Sequence, residues 1–180
     1  MIVNFFVMPI VAVMPLMTLQ YFKGTAYQVS LIEGFYGIGL LVGGVILSLW
    51  NPKIRKVSLI ILGFSGLGVV LAICGALRSG YFTAYAILTI VQGFAVPLFT
   101  GPFTVLIQTQ FPPAYLGRVF ALFGSISKLP AMIGLLFAGY IADDIGVEKL
   151  FVFGGVVVAM TGIILFFIPS VQHLEGKSAH

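Results

Sequence analysis

Charged residues are scarce in this sequence: 8% of its 180 residues are Asp, Glu, Lys or Arg, against about 25% in ordinary globular domains. The single cysteine, Cys74, excludes a disulfide within one chain and offers no cluster of metal ligands. The phosphate-binding pattern GxxxxGK[ST] and the nucleophile pattern GxSxG are both absent. We therefore expect no enzyme activity, no metal site and no cofactor.

Hydrophobic residues fill the chain instead. They make up 60% of the sequence, and the mean hydropathy is +1.16, which is typical of an integral membrane protein. The net charge of +4 comes from basic residues scattered through short breaks, and they form no basic patch. The lipid bilayer is thus the expected partner, and nucleic acid is not.

The apolar residues fall into six stretches, each near the roughly 20 residues that a helix needs to cross a bilayer. Strands are not expected, because no alternating apolar and polar pattern recurs. The sequence predicts an all-α integral membrane protein with six transmembrane helices and a polar tail over residues 170–180. The stretches cover residues 2–21, 31–50, 57–77, 82–106, 117–141 and 150–169.

Basic residues set the expected orientation. Lys53, Arg55 and Lys56 cluster in the break after the second stretch, and Arg118 opens the fifth. Because loops rich in Lys and Arg are retained in the cytoplasm, these positions indicate the inner face of the membrane. Both termini, including the tail, are then cytoplasmic in a multi-pass protein of the cell membrane.

An internal repeat relates the second stretch to the fifth. Residues 38–46 (IGLLVGGVI) and 133–141 (IGLLFAGYI) share six identities in nine positions at an offset of 95 residues, close to half the chain. Two glycine- and leucine-rich helices can also match by chance. Since each half holds three spans, the halves have opposite orientation in the membrane, and the pattern predicts the 3+3 inverted repeat of transporter halves.

Prolines and glycines interrupt the fourth stretch at membrane depth. Pro97, Gly101 and Pro102 remove or weaken backbone hydrogen bonds, so we expect the helix to bend there. Pro9 and Pro15 give the first stretch a milder version of this pattern. Interrupted helices are tolerated only against protein or water, so both helices are predicted to line a cavity. The uniformly aliphatic third and sixth stretches are predicted to face lipid.

Two ionisable residues lie inside the stretches. Lys128 shares a small-residue stripe with its neighbours on the fifth stretch, and is either a cavity lysine for an anionic group or a lysine bonded to backbone carbonyls. Glu33, near the outer end of the second stretch, is a candidate for proton coupling, because burial raises the pKa of a carboxyl group. The alternative for Glu33 is an interfacial carboxylate bonded to a neighbouring helix or to water.

Four further residues are candidates for contact with a substrate in the cavity. They lie in the two interrupted stretches and are polar, sulfur-containing or aromatic, as in an adaptable apolar pocket. Packing between helices or contact with lipid is the alternative for each. They are Asn4, Met8, Gln92 and Phe99.

A family resemblance appears in residues 112–120 (PPAYLGRVF) and 139–143 (GYIAD), which are similar to the penultimate helix of major facilitator superfamily permeases. Residues 37–44 (GIGLLVGG) and the basic turn 53–56 (KIRK) resemble the eighth helix of that family and the loop after it. The resemblance is closest to the drug-efflux branch that includes macrolide and enterobactin exporters. It covers nearly the whole chain, but only as helices seven to twelve of a twelve-helix protein.

The resemblance implies export of a small lipophilic or amphipathic compound such as a drug, driven by protons through alternating access. It also implies a partner, since the binding site of such proteins lies between two repeats. That partner is an N-terminal six-helix half, supplied by the same gene, by a separate chain or by a second copy in a homodimer. The alternative is an incomplete or degenerate permease fragment that acts as a non-transporting membrane interaction module.

Overall fold

The computed structural model describes residues 2–49 and 56–167, and within these ranges it contains helices and no strands. Five of the helices are long and apolar enough to span a bilayer. The first apolar stretch is divided into three pieces, which together we call the first segment. The helices are α1 (Ile2–Ala12), α2 (Met14–Leu16), a π-helix (Met17–Tyr21), α3 (Ala26–Leu49), α4 (Lys56–Ala76), α5 (Phe82–Gln110), α6 (Pro113–Ile145) and α7 (Val147–Phe167).

Local sequence signals set several helix ends. At the start of α3, the Gln28 side-chain oxygen accepts a hydrogen bond from the Thr25 N–H at 2.9 Å, and the Gln28 N–H donates to the Thr25 hydroxyl at 3.4 Å. This reciprocal pair is a capping box. Pro113 occupies the first turn of α6, where its missing N–H costs nothing, and Gly146 ends that helix with φ of 103°.

Helix packing follows the predicted repeat. Along the bundle, α3 packs on α5, α5 on α4, α4 on α7, α7 on α1, and α1 on α6. This pattern maps onto itself when the first three spans are exchanged with the last three: α3–α5 corresponds to α6–α1, and α4–α7 corresponds to itself. The fold is therefore the predicted 3+3 inverted repeat, with the first of its six spans broken.

The central pair, α4 and α7, is joined through small residues. A methyl group added at Gly68 would lie 2.7 Å from the Ala159 Cα, and one added at Gly75 would lie 2.6 Å from the Val152 backbone nitrogen. Because the residue numbers rise on one helix as they fall on the other, the two helices are antiparallel. Their backbones meet at the close distance that small residues permit. The prediction that α4 and α7 face lipid describes only their outer sides, since their inner sides form this contact.

The burial of individual residues also follows the repeat. Gly39 and Gly43 of α3 are buried, and so are Gly134 and Ala138, which lie 95 residues later on α6. Leu41 and its counterpart Leu136 are both exposed, at 72% and 78%. Matching environments at matching positions indicate that the two segments are structural equivalents and not merely similar in composition.

Candidate functional site

The most open surface of the structure lies on α3 and α6. Of the residues in the spanning stretch, 6% are buried in α6 and 17% in α3, against 44% in α4. The two helices lie at opposite ends of the packing order, and each uses one side to contact the bundle. Their other sides have no contact with the described part of the chain, and we call these two sides the open faces.

Glycines line the open faces. A methyl group added at any of six glycines on these two helices would meet no atom within 4 Å outside its own helix. A glycine inside a helix costs about 1 kcal/mol relative to alanine, and it is useful in a membrane where the backbone of another helix must come close. The open faces therefore have the form of helix-packing surfaces. The glycines are Gly34, Gly37 and Gly44 on α3 and Gly117, Gly124 and Gly139 on α6.

The opposite side of α3 also carries glycines, and there another helix, α5, packs against them. A methyl group added at Gly39 would lie 2.9 Å from the Phe94 backbone nitrogen, and one at Gly43 would lie 2.7 Å from the Phe94 carbonyl oxygen. Gly93 of α5 makes the reciprocal approach to the backbone of α3 at Tyr36 and Leu40. One helix thus carries two glycine surfaces, of which α5 covers one.

Lys128 and Glu33 are both exposed on these helices. Lys128 follows Pro113 by 15 residues, which places it about 22 Å along α6 at 1.5 Å per residue. Its predicted stripe is open: Gly117, Ala121 and Gly124 are exposed. Neither charged residue has an ion-pair partner within the described ranges.

The repeat also relates these two charges to each other, which the sequence reasoning missed. Glu33 and Lys128 differ by the same 95 residues as the rest of the repeat, so they occupy equivalent positions on α3 and α6. The equivalent positions therefore carry opposite charges. The offset alone was sufficient to find this relation.

Gln92 lies in the core and away from the open faces. Its side chain is 1% exposed, and its Nε2 donates a hydrogen bond to the Cys74 Sγ at 3.1 Å, joining α5 to α4. The Gln92 amide forms a contact between two helices, because α4 covers this side of α5. The structure therefore does not place Gln92 among groups that a substrate can reach.

The other cavity candidates lie in different environments. Phe99 is half-buried and stacks on Phe64 of α4, with the ring centroids 4.3 Å apart. Met8 on α1 is 55% exposed. Asn4 belongs to α1, but its side chain lies outside the described part of the structure.

Of the basic residues assigned to the cytoplasmic loops, Arg118 is exposed near the start of α6. Lys53 and Arg55 lie outside the described residues, as do the side chain of Lys56 and the tail 170–180.

Of the two interruptions that the sequence predicts, the structure contains the one in the first stretch. Helix α5 continues through Pro97, Gly101 and Pro102, and a bend within it stays a prediction. Two threonines near these residues bond to the preceding turn of the helix. The Thr100 hydroxyl donates to the Val96 carbonyl at 3.0 Å, and the Thr104 hydroxyl donates to the Thr100 carbonyl at 2.8 Å. Such bonds from threonine to the preceding turn are associated with slight helix bending.

In the first segment, the backbone leaves the α-helix at Val13, where φ is −96° and ψ is 4°. The π-helix follows after one short turn: the Phe22 N–H donates to the Met17 carbonyl at 3.2 Å, and the Gly24 N–H donates to the Thr18 carbonyl at 2.9 Å. Lys23 adopts a left-handed φ of 52°, which is uncommon for a residue with a side chain.

A buried polar group that sequence reasoning missed lies next to the π-helix. Tyr85 of α5 is fully buried, and its polar neighbours are Thr18 and Cys74. Thr18 is the side chain that interacts with its hydroxyl as a hydrogen-bond partner, although the contact falls outside strict hydrogen-bond geometry. A buried hydroxyl needs such a neighbour, because burial without one costs about 1–3 kcal/mol. No sequence pattern distinguishes such a tyrosine from an interfacial one.

The described residues contain no group of three His, Cys, Asp or Glu side chains that could hold a metal ion. At membrane depth, the open faces offer an apolar wall with small residues, the amine of Lys128 and the carboxylate of Glu33.

Comparison with known proteins identifies relatives for the whole chain. Residues 1–179 match the Major Facilitator Superfamily. The chain is 35% identical to Macrolide efflux protein A of Streptococcus pyogenes over 173 residues, which is 96% of this chain and 43% of that protein. It is 37% identical to Macrolide efflux protein A of Enterococcus faecalis over 131 residues, covering 73% of this chain and 41% of the relative.

A more distant relative is Multidrug efflux pump Tap of Mycolicibacterium fortuitum, which is 23% identical over 141 residues, 78% of this chain and 34% of that protein. No solved structure matches the sequence significantly. The chain thus spans about two fifths of the length of these two macrolide efflux proteins.

Proposed function

The chain belongs to the major facilitator superfamily, and we propose on this premise that it forms the C-terminal six-helix half of a secondary transporter that exports drugs. It is a multi-pass membrane protein of a family of transport proteins, which agrees with the prediction that it is not an enzyme. The exported compounds are lipophilic or amphipathic. The location is the cell membrane, with both termini in the cytoplasm.

One observation carries this proposal: the two open faces on equivalent helices of an inverted repeat. A second six-helix half covers them, with its helices close to the backbone at Gly37 and Gly44 on α3 and at Gly124 and Gly139 on α6. The substrate site then lies between the two halves, as in transporters built from repeats. The named relatives support export, because all three are described as efflux proteins.

Transport by this assembly proceeds by rocking of the two halves, which exposes the site to each side of the membrane in turn. Met8 and Asn4 on α1 and Phe99 on α5 contribute to the wall of the site. Lys128 faces an anionic group there, supplied by the substrate or by a carboxylate of the other half. A lysine at this depth is favourable only against protein or water, because charge costs at least ~2.5–3.5 kcal/mol at the centre of a bilayer.

The direct test of the proposal is efflux of a fluorescent lipophilic dye from membrane vesicles with an imposed proton gradient. The chain is expressed alone and together with the N-terminal half of the Streptococcus pyogenes relative. Dye movement that depends on both the gradient and the added half is the expected result. If no gradient-dependent movement occurs in either case, the exporter assignment is wrong and the non-transporting interaction module becomes the better description.

Glu33 is the proposed site of proton coupling, because it is the carboxylate within the span of α3 and becomes buried when the second half covers the open face. The substitution Glu33→Gln keeps the size of the side chain but cannot titrate. We expect dye efflux by this variant to lose its dependence on pH, with a rate reduced about tenfold or more, as for removal of a proton-transfer group.

The control for this prediction is Gln28→Glu, which introduces a carboxylate at the exposed start of the same helix. A Glu33→Gln variant that still responds to pH as the unmodified chain does would rule out the coupling role.

A further inference from the structure

Helix α5 carries a row of polar side chains in the second half of its span. Thr100 and Thr104 lie four residues apart, so they are neighbours on one side of the helix. Thr100 is exposed, Thr104 is half-buried, and exposed Gln108 continues the row by one turn toward the end of α5. One turn before Thr100, the row is replaced by the apolar side chain of Val96. The polar row therefore begins near the middle of the span and extends toward only one side of the membrane.

The contacts of nearby residues show where the two threonines face. The Phe103 ring meets the Phe123 ring of α6, with the ring centroids 5.2 Å apart. A methyl group added at Gly101 would lie 2.6 Å from the Leu47 side chain of α3. Since each residue turns a helix by about 100°, each threonine lies about 60° from one of these contacts and about 100° from the other. Both threonines thus lie on the side of α5 between its contacts with α6 and α3, and we call this side the threonine floor.

Helix α4 covers the opposite side of α5. There the Phe99 ring stacks on the Phe64 ring of α4. A methyl group added at Gly63 of α4 would lie 3.3 Å from the Ala95 carbonyl oxygen. The threonine floor is therefore turned away from α4 and toward the region between the two open faces. In the proposed assembly, the second half encloses this region, and the region belongs to the substrate site.

The hydroxyl groups of the threonine floor are already used as donors. Thr100 donates to the Val96 carbonyl at 3.0 Å, and Thr104 donates to the Thr100 carbonyl at 2.8 Å. Because a hydroxyl has one hydrogen but two lone pairs, each of the two oxygens can still accept a hydrogen bond. The threonine floor thus presents acceptors, and a ligand that bonds to it has to bring the donors.

Glu33 lies far from the threonine floor along the membrane normal. It precedes Leu47, the α3 residue beside Gly101, by 14 residues, which corresponds to about 21 Å along a helix. A carboxylate at this distance is not available to balance a positive charge on a ligand at the floor.

Lys128 lies much closer to the threonine floor in depth. Two residues connect α5 to α6, so these consecutive spans run in opposite directions through the membrane. Measured from the contact between Phe103 and Phe123, Thr100 lies three residues and Lys128 five residues toward the same side of the membrane. At 1.5 Å per residue, their depths differ by about 3 Å. The charge at the depth of the floor is therefore positive, which disfavours a cationic ligand.

We propose that the threonine floor is a subsite for the hydroxyl groups of a neutral lipophilic compound, which donate hydrogen bonds to the Thr100 and Thr104 oxygens. A hydroxyl is the neutral group that can donate to the floor while its own oxygen accepts a hydrogen bond from Lys128. This inference rests on the proposed function, because it assigns the floor to the exported compound. It narrows the substrate class to apolar compounds that carry free hydroxyl groups.

The test compares two fluorescent amphiphiles with the same neutral apolar body, one with free hydroxyl groups and the other with these groups methylated. Methylation keeps the oxygen but removes the donor. Fluorescence anisotropy measures the binding of each compound to the purified full chain in detergent, where the floor is already present. We expect the unmodified chain to bind the hydroxyl form more tightly by roughly fivefold, the ratio that one hydrogen bond produces. In Thr100→Val/Thr104→Val, which nearly keeps the shape of both side chains, this preference should disappear.

The matched control is Thr161→Val on α7, which removes a hydroxyl that makes the same kind of bond, to the Val157 carbonyl at 2.8 Å. It should leave the fivefold preference unchanged. Thr100→Ser/Thr104→Ser keeps both acceptors and should keep the preference as well, which allows a decision even if the valine variant does not fold. Equal binding of the two compounds to the unmodified chain would overturn the proposal. A preference that survives in the valine variant or is lost in the serine variant would overturn it too.

Efflux from vesicles separates this proposal from the proposed function. Selective binding of the hydroxyl form by the chain, without gradient-dependent efflux when the second half is added, would support the subsite and reject the transport activity. Gradient-dependent efflux of both compounds at equal rates, with equal binding, would support the transport activity and reject the subsite.

Discussion

Replacement of Gly68 by leucine is expected to cause the largest loss of stability of any single substitution considered for this chain. A methyl group at this position would meet the Ala159 backbone at N and Cα and would lie 2.7 Å from the Gly155 carbonyl oxygen. Backbone atoms cannot rotate away as a side chain can, so α4 and α7 must separate. Overpacking of this kind costs typically 1–3 kcal/mol and occasionally more.

The cost at Gly68 falls at the upper end of that range because α4–α7 is the central contact of the bundle. A loss of about 3 kcal/mol corresponds to a melting temperature lower by roughly 10 °C for a chain of this size. Thermal unfolding of the purified chain in detergent, followed by intrinsic fluorescence, measures this shift. Size-exclusion chromatography gives the fraction that remains folded and dispersed.

Gly66 provides the matched control, since it lies two residues away on the same helix and a methyl group there would meet nothing within 4 Å. Leucine favours the helix over glycine by up to about 1 kcal/mol, so Gly66→Leu should be neutral or stabilising. Equal losses from Gly66→Leu and Gly68→Leu would mean that the effect comes from a larger side chain in α4 and not from the contact with α7.

The repeat could be predicted from sequence because it depends on small residues that allow close contact between helices at equivalent positions of both halves. Gly39 and Gly134 are buried at equivalent places, and Gly43 is matched by Ala138, which is the next smallest residue. A contact between helix backbones tolerates few residue types, so the positions remain recognisable even in an apolar sequence. The same offset relates Glu33 to Lys128, although their charges are opposite.

The side of a helix that faces lipid could not be predicted from hydrophobicity. Lipid tails are as apolar as leucine, so an aliphatic helix is equally suited to lipid and to other helices. Helices α4 and α7 read as uniformly aliphatic, yet they form the central contact through Gly68, Gly75 and Gly155. In these helices the informative residues are the glycines, because they mark where another backbone lies.

Residue type predicted an interruption in both proline-containing spans, but not that the one in the first span would be the stronger. Proline removes one hydrogen bond donor wherever it occurs, but the outcome depends on what covers the freed groups. Helix α5 packs on both α3 and α4, Pro102 is buried, and the helix continues through Pro97 and Pro102. In the first segment, Pro15 lies beside a break at Val13 and a π-helix.

Individual site residues were the least predictable feature. Gln92 appeared suited to a cavity because it lies in a proline-containing span, but its amide bonds to Cys74 inside the helix pair. A polar residue in a membrane-spanning helix can bond to a ligand or to a neighbouring helix, and the sequence does not show which way its side chain points. Lys128 is exposed on α6, and its role as a cavity lysine stays a prediction.

The second large effect is expected from substitutions on the open faces. These should prevent assembly with a second half without affecting the folding of the chain. Gly44 on α3 and Gly139 on α6 are equivalent in the repeat, and a methyl group at either would meet nothing within 4 Å. Leucine at these positions should therefore leave the melting temperature of the isolated chain within roughly 3 °C of the unmodified value, which corresponds to less than about 1 kcal/mol. In the proposed assembly, the same leucines prevent the close approach of the second half.

Co-purification of the chain with the N-terminal half of the Streptococcus pyogenes relative measures this association, and dye efflux from vesicles measures its consequence. For the double variant Gly44→Leu/Gly139→Leu we expect at least tenfold less bound partner and a comparable loss of efflux. Gly66→Leu, at an open glycine on α4 that lies outside the open faces, should change neither quantity. If the double variant binds the partner normally, the open faces do not form the contact between halves. If it also melts early, the faces are already occupied within the chain, since leucine can destabilise the isolated bundle only where something lies against it.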